Sequence, residues 1–319
     1  MSSDGLKVRV KRITWEALGI ISLELRSAAG GTLPAFCAGA HVDLALPNGL
    51  LRQYSLLTAP SGQTDAYVVA VNLDTSSQGG SRYIHNDLKV GQILDIGVPR
   101  NHFPLDETTS HSVFIGGGIG ITPLYCMMQR LGAMRRSFDV VYATRSRYRA
   151  AYLNEIVALC PDAVVHHDDE HGGSPIDLAP IIAGFPPDTH FYCCGPPAMM
   201  SAFEKHTASL PERFVHCEYF SPKKAAQEND REEFKVTLAR SGVTLKVPSG
   251  KSILDVLIEN GLSVHHSCCQ GVCGSCEVAV LSGIPNHRDS ILLPSQRARN
   301  DVMMVCVSGS LSEELILDI

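Results

Sequence analysis

The chain has 319 residues, enough for two or three domains. Hydrophobic residues make up 45% and charged residues 19%, and the net charge is −6 with no long basic run; this is the profile of a soluble globular protein and argues against nucleic acid as a partner. No apolar run reaches the ~18 residues that cross a bilayer, and the start, Met1-Ser2-Ser3-Asp4-Gly5-Leu6-Lys7, has no apolar signal core, so no membrane contact and a cytoplasmic location are expected.

Residues 1–107 carry short alternating stretches, Leu6–Ile13, His41–Leu46 and Tyr67–Asn72, broken by Gly, Pro and Asn. This pattern predicts an antiparallel β-barrel. Arg52-Gln53-Tyr54-Ser55 falls on one strand, where alternation puts Arg52 and Tyr54 on the same face. There a ring can cover a flavin while a guanidinium meets its phosphate, and Ser55 offers a hydroxyl. Further along, Gly79-Gly80-Ser81 opens a predicted helix and suits a phosphate. Alone, the first motif also fits an ordinary exposed strand and the second a flexible turn.

Residues 108–222 alternate differently. Ser112–Ile115, Asp139–Ala143, Ala163–His167, His190–Cys194 and Phe214–Glu218 read as short buried strands. Between them, Pro123–Leu131, Ala151–Leu159, Leu178–Ala183 and Ala198–His206 read as helices, which predicts a doubly wound α/β sheet. The first strand runs into Gly116-Gly117-Gly118-Ile119-Gly120-Ile121-Thr122-Pro123, a strand–turn–helix context suited to a pyrophosphate, although the spacing is not the dinucleotide fingerprint G-x-G-x-x-G. Cys193-Cys194-Gly195-Pro196 ends the fourth strand, where Cys194 would lie beside a nicotinamide ring or serve as a buried structural thiol. Thr144-Arg145-Ser146-Arg147 follows the second strand, where an adenosine ribose is usually read; with no acidic residue there, Arg145, Ser146 and Arg147 fit a 2′-phosphate or a solvated loop, and NADH versus NADPH stays open.

Residues 223–233 are polar and charged and read as a linker. In residues 234–319, Phe234–Leu238 and Thr244–Val247 form a predicted hairpin, and Ile253–Asn260 a helix with Ile253, Leu254, Leu257 and Ile258 at helical spacing. Then come Cys268, Cys273 and Cys276, spaced C-x4-C-x2-C, and Cys306 after 29 further residues. This is the plant-type ligand spacing of a [2Fe–2S] cluster. Cys269 beside Cys268 gives two candidates for the first ligand; Cys269 would shorten the first gap to three residues, so spacing favours Cys268. Cys37, Cys126, Cys160 and Cys217 lie among apolar neighbours and are expected to be buried.

Taken in order, these motifs resemble the phthalate dioxygenase reductase family, which includes the vanillate O-demethylase reductases, and the resemblance covers essentially the whole chain. Pro99-Arg100-Asn101-His102-Phe103-Pro104-Leu105, His287-Arg288-Asp289 and Val305-Cys306-Val307-Ser308 belong to the same match. The resemblance implies an FMN-binding barrel, an NAD(P)H domain with NADH favoured, and a C-terminal ferredoxin domain of the β-grasp (α+β) type. It implies FMN contacts at Arg52, Tyr54, Ser55, Val71, Asn72, Gly79, Gly80 and Ser81. It implies nicotinamide-nucleotide contacts at Gly117, Thr122 and Cys194, and a flavin–nicotinamide junction at Glu218 and Phe220. The implied activity is that of an oxidoreductase, demanding no catalytic acid or base, that passes electrons singly to a terminal Rieske non-haem iron oxygenase acting on an aromatic or related substrate. A monomer is expected; His265, His266, Arg288, Arg297 and Arg299, near the cluster loop, fit either a docking surface or an ordinary solvated surface. The rival readings are a stand-alone flavin, ferric or ferredoxin reductase, and a redox-sensing iron–sulfur module; the tandem flavin and nicotinamide motifs argue against the sensor.

Overall fold

The computed structural model describes residues 5–58, 62, 64–74, 79–222 and 233–319. Most of the expected linker, residues 223–232, lies outside the described residues. The chain forms two compact units, one running to Phe220 and one from Ser221 to Ile319.

The first unit begins with β1 (Leu6–Ala17), β2 (Ile20–Ser27), β3 (His41–Ala45), β4 (Leu51–Ser55), β5 (Tyr67–Asn72), the short helix α1 (Gly80–Asn86) and β6 (Ile93–Ile96). Alternation decides the faces: Val8 and Val10 of β1 are fully buried while Lys7, Arg9 and Lys11 are not. The sheet order is β4-β3-β6-β1-β2-β5, and a bridge between Leu56 and Val69 joins its two ends, closing a barrel around Leu23, Leu25, Val42, Leu44 and Val69.

The same unit continues with β7 (Ser112–Gly117), α2 (Ile121–Ala133), β8 (Phe138–Thr144), α3 (Leu153–Leu159), β9 (Val164–His167), α4 (Ala179–Ala183), β10 (His190–Cys194), α5 (Pro197–Thr207) and β11 (Val215–Glu218). Its strands are all parallel in the order β11-β10-β7-β8-β9. The barrel packs directly on α2: Gln129 Nε2 donates to Leu57 O at 2.6 Å, and Phe103 and Ala38 join the α2 core. Gly39, at φ +90°, is required there, because a Cβ would stand 1.8 Å from Phe103 O.

The second unit holds β12 (Phe234–Leu238), β13 (Thr244–Val247), α6 (Ile253–Glu259), β14 (Glu277–Ser282), β15 (Pro285–Asn286), α7 (Pro294–Arg299), β16 (Val302–Met304), β17 (Gly309–Ser310) and β18 (Glu314–Leu317). A mixed sheet, β13-β12-β18-β14-β16, grips α6. Ser252 caps that helix: its Oγ accepts from Asp255 N at 3.1 Å while the Asp255 carboxylate accepts from Ser252 N at 2.9 Å. Ile258, expected on the apolar face, is 49% exposed and Val256 is buried instead, since at ~100° per residue Val256 falls closer to the face of Ile253 and Leu257 than Ile258 does.

Two smaller corrections concern composition. Cys126 and Cys160 are buried and Cys217 is half-buried, but Cys37 is exposed, because its neighbours Phe36 and Ala38 turn inward in an irregular stretch. Among the described residues no helix is long and apolar enough to cross a membrane.

Candidate functional site

In the barrel, Arg52 lies across the first residue of α1: a Cβ on Gly80 would stand 2.8 Å from Arg52 Nε. Gly79, at φ +105°, makes the turn into α1, a conformation that glycine adopts without steric penalty. Ser81 Oγ accepts from Asp74 N at 3.2 Å, and His85 Nε2 lies 3.0 Å from Val71 O. These contacts gather Arg52, Gly79, Gly80, Ser81 and the end of β5 into one region. Val71 is buried and Asn72 half-buried; Ser55 is buried opposite His41. Burial raises the pKa of the Tyr54 hydroxyl, keeping the ring neutral.

The nucleotide motifs meet at the carboxyl end of the parallel sheet. In register, Gly116 of β7 faces Cys194 of β10, which faces Glu218 of β11. The glycines allow backbone to lie on backbone: a Cβ on Gly120 would stand 2.3 Å from Cys194 O, and one on Gly117 2.5 Å from Pro196 Cδ. Two expected contacts are turned inward. Thr122 is buried and donates its hydroxyl to Ile119 O at 3.0 Å, bracing the loop. Cys194 is fully buried against the α2 core, and burial holds its thiol neutral. Among the described residues Glu218 Oε2 is buried without a partner, and burial pushes its carboxyl up to about 8. Phe220 is 41% exposed. Arg145 is exposed at the end of β8, where Thr144 Oγ1 donates to Ser146 O at 3.0 Å.

In the second unit the cysteines form two pairs. The Cys268 thiol acts on Cys273, and the Cys276 thiol on Cys306. The hydrogen bond from Cys268 lowers Cys273 to about 5, favouring its thiolate. Two thiolates for each of two irons is the requirement of a binuclear cluster. One backbone and one side-chain contact reach the sulfurs: Gln270 N donates to Cys268 Sγ at 3.3 Å, and Cys273 Sγ donates to Ser275 Oγ at 3.3 Å. Gly271, at φ +68°, lets the loop press against Val307 and Asp289, where a Cβ would stand 2.6 Å from Val307 Cγ2. Cys273, Cys276 and Cys306 are buried and Cys268 half-buried. Cys269 is exposed at φ +53°, and its Sγ is directed at Ser267 O, 3.9 Å away. The chemistry of these residues suits the group, with Cys268 half-buried beside Cys273 and Cys269 turned outward.

Two buried carboxylates escaped the sequence reading. Asp43 takes Arg100 at 2.8 Å and Gln53 Nε2 at 2.8 Å, tying β3, β4 and the Pro99–Leu105 stretch together behind the flavin motif. Asp289 accepts from Ile291 N and Leu292 N at 3.0 and 2.7 Å, and Arg297 Nη2 donates to Asp289 O at 2.5 Å. Ser290 N in turn donates to Gly271 O at 2.8 Å, so this turn braces the cysteine loop. Arg297 thus has its guanidinium on Asp289 and is half-buried. The available signal was an acidic residue inside an apolar strand for Asp43, and the His287-Arg288-Asp289 match for Asp289.

Residues 236–309 match the 2Fe-2S iron-sulfur cluster binding domain, and residues 114–205 the oxidoreductase NAD-binding domain. The chain is 45% identical to tetrachlorobenzoquinone reductase of Sphingobium chlorophenolicum, over 98% of each chain. It is 44% identical to phenoxybenzoate dioxygenase subunit beta of Ectopseudomonas oleovorans, over 98% of this chain and 97% of that one. The solved structure of a phthalate dioxygenase reductase, described as modular for electron transfer from pyridine nucleotides to [2Fe-2S], is similar with a TM-score of 0.72 and 36% identity, covering 99% of this chain and 98% of that one.

Proposed function

The chain belongs to the family of phthalate dioxygenase reductases and related oxygenase reductase subunits, and from that premise we propose that it passes electrons from NADH through FMN and a [2Fe–2S] cluster to a terminal Rieske non-haem iron oxygenase. The observation that carries this reading is the two-by-two pairing of Cys268 with Cys273 and Cys276 with Cys306, downstream of a nucleotide loop in the same chain. When bound, FMN supplies the conversion between a two-electron hydride donor and a one-electron carrier.

The chain's own residues do the positioning. Arg52 and the Gly79–Ser81 backbone would hold the flavin phosphate, and Tyr54, Ser55, Val71 and Asn72 would border its ring. Gly117 and the loop braced by Thr122 would hold the pyrophosphate of NADH, and Arg145 and Ser146 its ribose end. Cys194 would contribute through its backbone and small neutral side chain. Glu218, uncharged near neutral pH, and Phe220 would border the nicotinamide. Gln270 N–H and the Ser275 hydroxyl would stabilise thiolate charge on Cys268 and Cys273.

The test is reconstitution: the holoprotein should reduce cytochrome c with NADH and support turnover by a purified terminal Rieske oxygenase. Failure to couple to any such oxygenase, with rapid reduction of small quinones, would favour a second reading, a stand-alone reductase; the identity to a relative named tetrachlorobenzoquinone reductase supports that alternative. The proposal includes a monomeric state, which sedimentation velocity tests.

A further inference from the structure

Three tryptophan, tyrosine or phenylalanine rings stand exposed among the described residues: Trp15 at 71%, Tyr148 at 79% and Phe220 at 41%. Phe220 follows the strand that ends at the proposed nicotinamide position. Trp15 and Tyr148 line one cleft of about 340 Å³, together with Leu18 and Arg147. That volume is near the lower end for small-ligand sites, ~300 Å³ and upward.

The cleft has two walls. Tyr148 lies in the loop after β8, the second strand of the parallel sheet, outside whose carboxyl end an adenosine is bound in folds of this type. Trp15 and Leu18 belong to the β1–β2 hairpin of the barrel. The register of that hairpin shifts between Trp15 and Ala17, a bulge of the kind that re-aims a side chain. The hairpin tip is anchored on both sides: Leu18 N donates to Tyr148 O at 2.8 Å, and Leu73 N, just past the flavin-side strand β5, donates to Gly19 O at 2.7 Å. The acidic residue in the lining, Glu16, is held by the Ser22 hydroxyl at 2.5 Å. The cleft thus offers two aromatic rings, a leucine and a guanidinium beside a half-buried Glu16 tied back to Ser22, a surface suited to a flat, neutral, π-rich base.

We infer that Trp15 of the barrel and Tyr148 of the nucleotide sheet together form the subsite for the adenine of the dinucleotide. This rests on the proposed nicotinamide-nucleotide reading and adds to it a barrel residue that selects the adenosine half of the donor. Arg147, weakly paired with exposed Glu170 at 3.8 Å, stands at the rim of the cleft.

Trp15 is the single tryptophan of the chain, so its emission reports on the subsite directly. ADP-ribose titrated into the holoprotein should change that emission, and nicotinamide mononucleotide should not. Trp15→Ala and Tyr148→Ala should each raise KM for NADH about tenfold with kcat retained. Reduced nicotinamide mononucleotide, which lacks the adenosine, should be oxidised equally well by wild type and both variants, and Trp15→Phe should restore most of the NADH affinity. The inference is overturned, with the nucleotide reading intact, if calorimetry shows ADP-ribose binding to wild type and Trp15→Ala alike, or if the variant loses NADH and mononucleotide turnover in equal measure. If wild type neither binds ADP-ribose nor oxidises NADH, both readings fail.

Discussion

Gly120 and Cys194 touch backbone to backbone: a Cβ on Gly120 would meet the Cys194 carbonyl oxygen at 2.3 Å and Gly195 N at 2.8 Å. Neither atom belongs to a flexible side chain, so a methyl group there must push the β10 end away from the glycine loop. Gly120→Ala should therefore destabilise the protein by ~1–3 kcal/mol and raise KM for NADH. Thermal unfolding and NADH titration check this, and the visible iron–sulfur spectrum should be unchanged.

Arg52 lays its stem on Gly80, inside the cluster of residues proposed to hold the flavin phosphate. Losing a charged hydrogen-bond partner costs ~1.5–3 kcal/mol, or about ten- to a hundredfold in affinity. Arg52→Ala should lose flavin on gel filtration, measured as flavin per protein, and regain NADH oxidation when FMN is added in excess. Arg52→Lys should rank between the two, since an ammonium keeps the charge but not the planar fork.

Much of the fold was legible because its signals are local. Tyr67–Asn72, His190–Cys194, Phe234–Leu238 and Thr244–Val247 agree residue for residue with the observed strands, each being a short apolar or alternating run between turn residues. Motif order likewise brought the glycine loop to Cys193–Pro196. The hidden parts depend on contacts distant in sequence. Asp43 meets Arg100 only because β3 pairs with the Pro99–Leu105 stretch, and Arg297 is half-buried because its guanidinium lies on the fully buried Asp289. Trp15 looks like any strand residue until the bulge at the end of β1 exposes it. Thr122 and Cys194 were found as motif members, but whether a side chain faces the ligand or the core is decided by packing on α2.

The cysteine loop makes opposite predictions for neighbouring residues. Cys273 is buried and paired with Cys268, whereas Cys269 is exposed and turned toward Ser267 O. Cys273→Ser should abolish the visible cluster absorbance and cytochrome c reduction while NADH still reduces ferricyanide through the flavin. Cys269→Ser should keep iron and acid-labile sulfide at wild-type content. A loss of cluster in Cys269→Ser with retention in Cys268→Ser would reverse the ligand assignment.

Glu218 makes stability depend on pH. Its carboxyl titrates near 8 in the folded chain, raised by burial from an ordinary value of 4.5. Between these values the folded state holds a proton that the unfolded state has released, so stability from this group is greatest below pH 4.5 and falls as pH rises toward 8. At one pKa unit per ~1.4 kcal/mol, the loss across that window amounts to at most about 4 kcal/mol. Glu218→Gln cannot ionise and should flatten this limb: its Tm relative to wild type should rise steadily from pH 5 to pH 8 in matched buffers. A Tm difference independent of pH over that range would mean that Glu218 is ionised in the fold. Its carboxylate would then place a negative charge beside Cys194, where the proposed function requires a neutral acid.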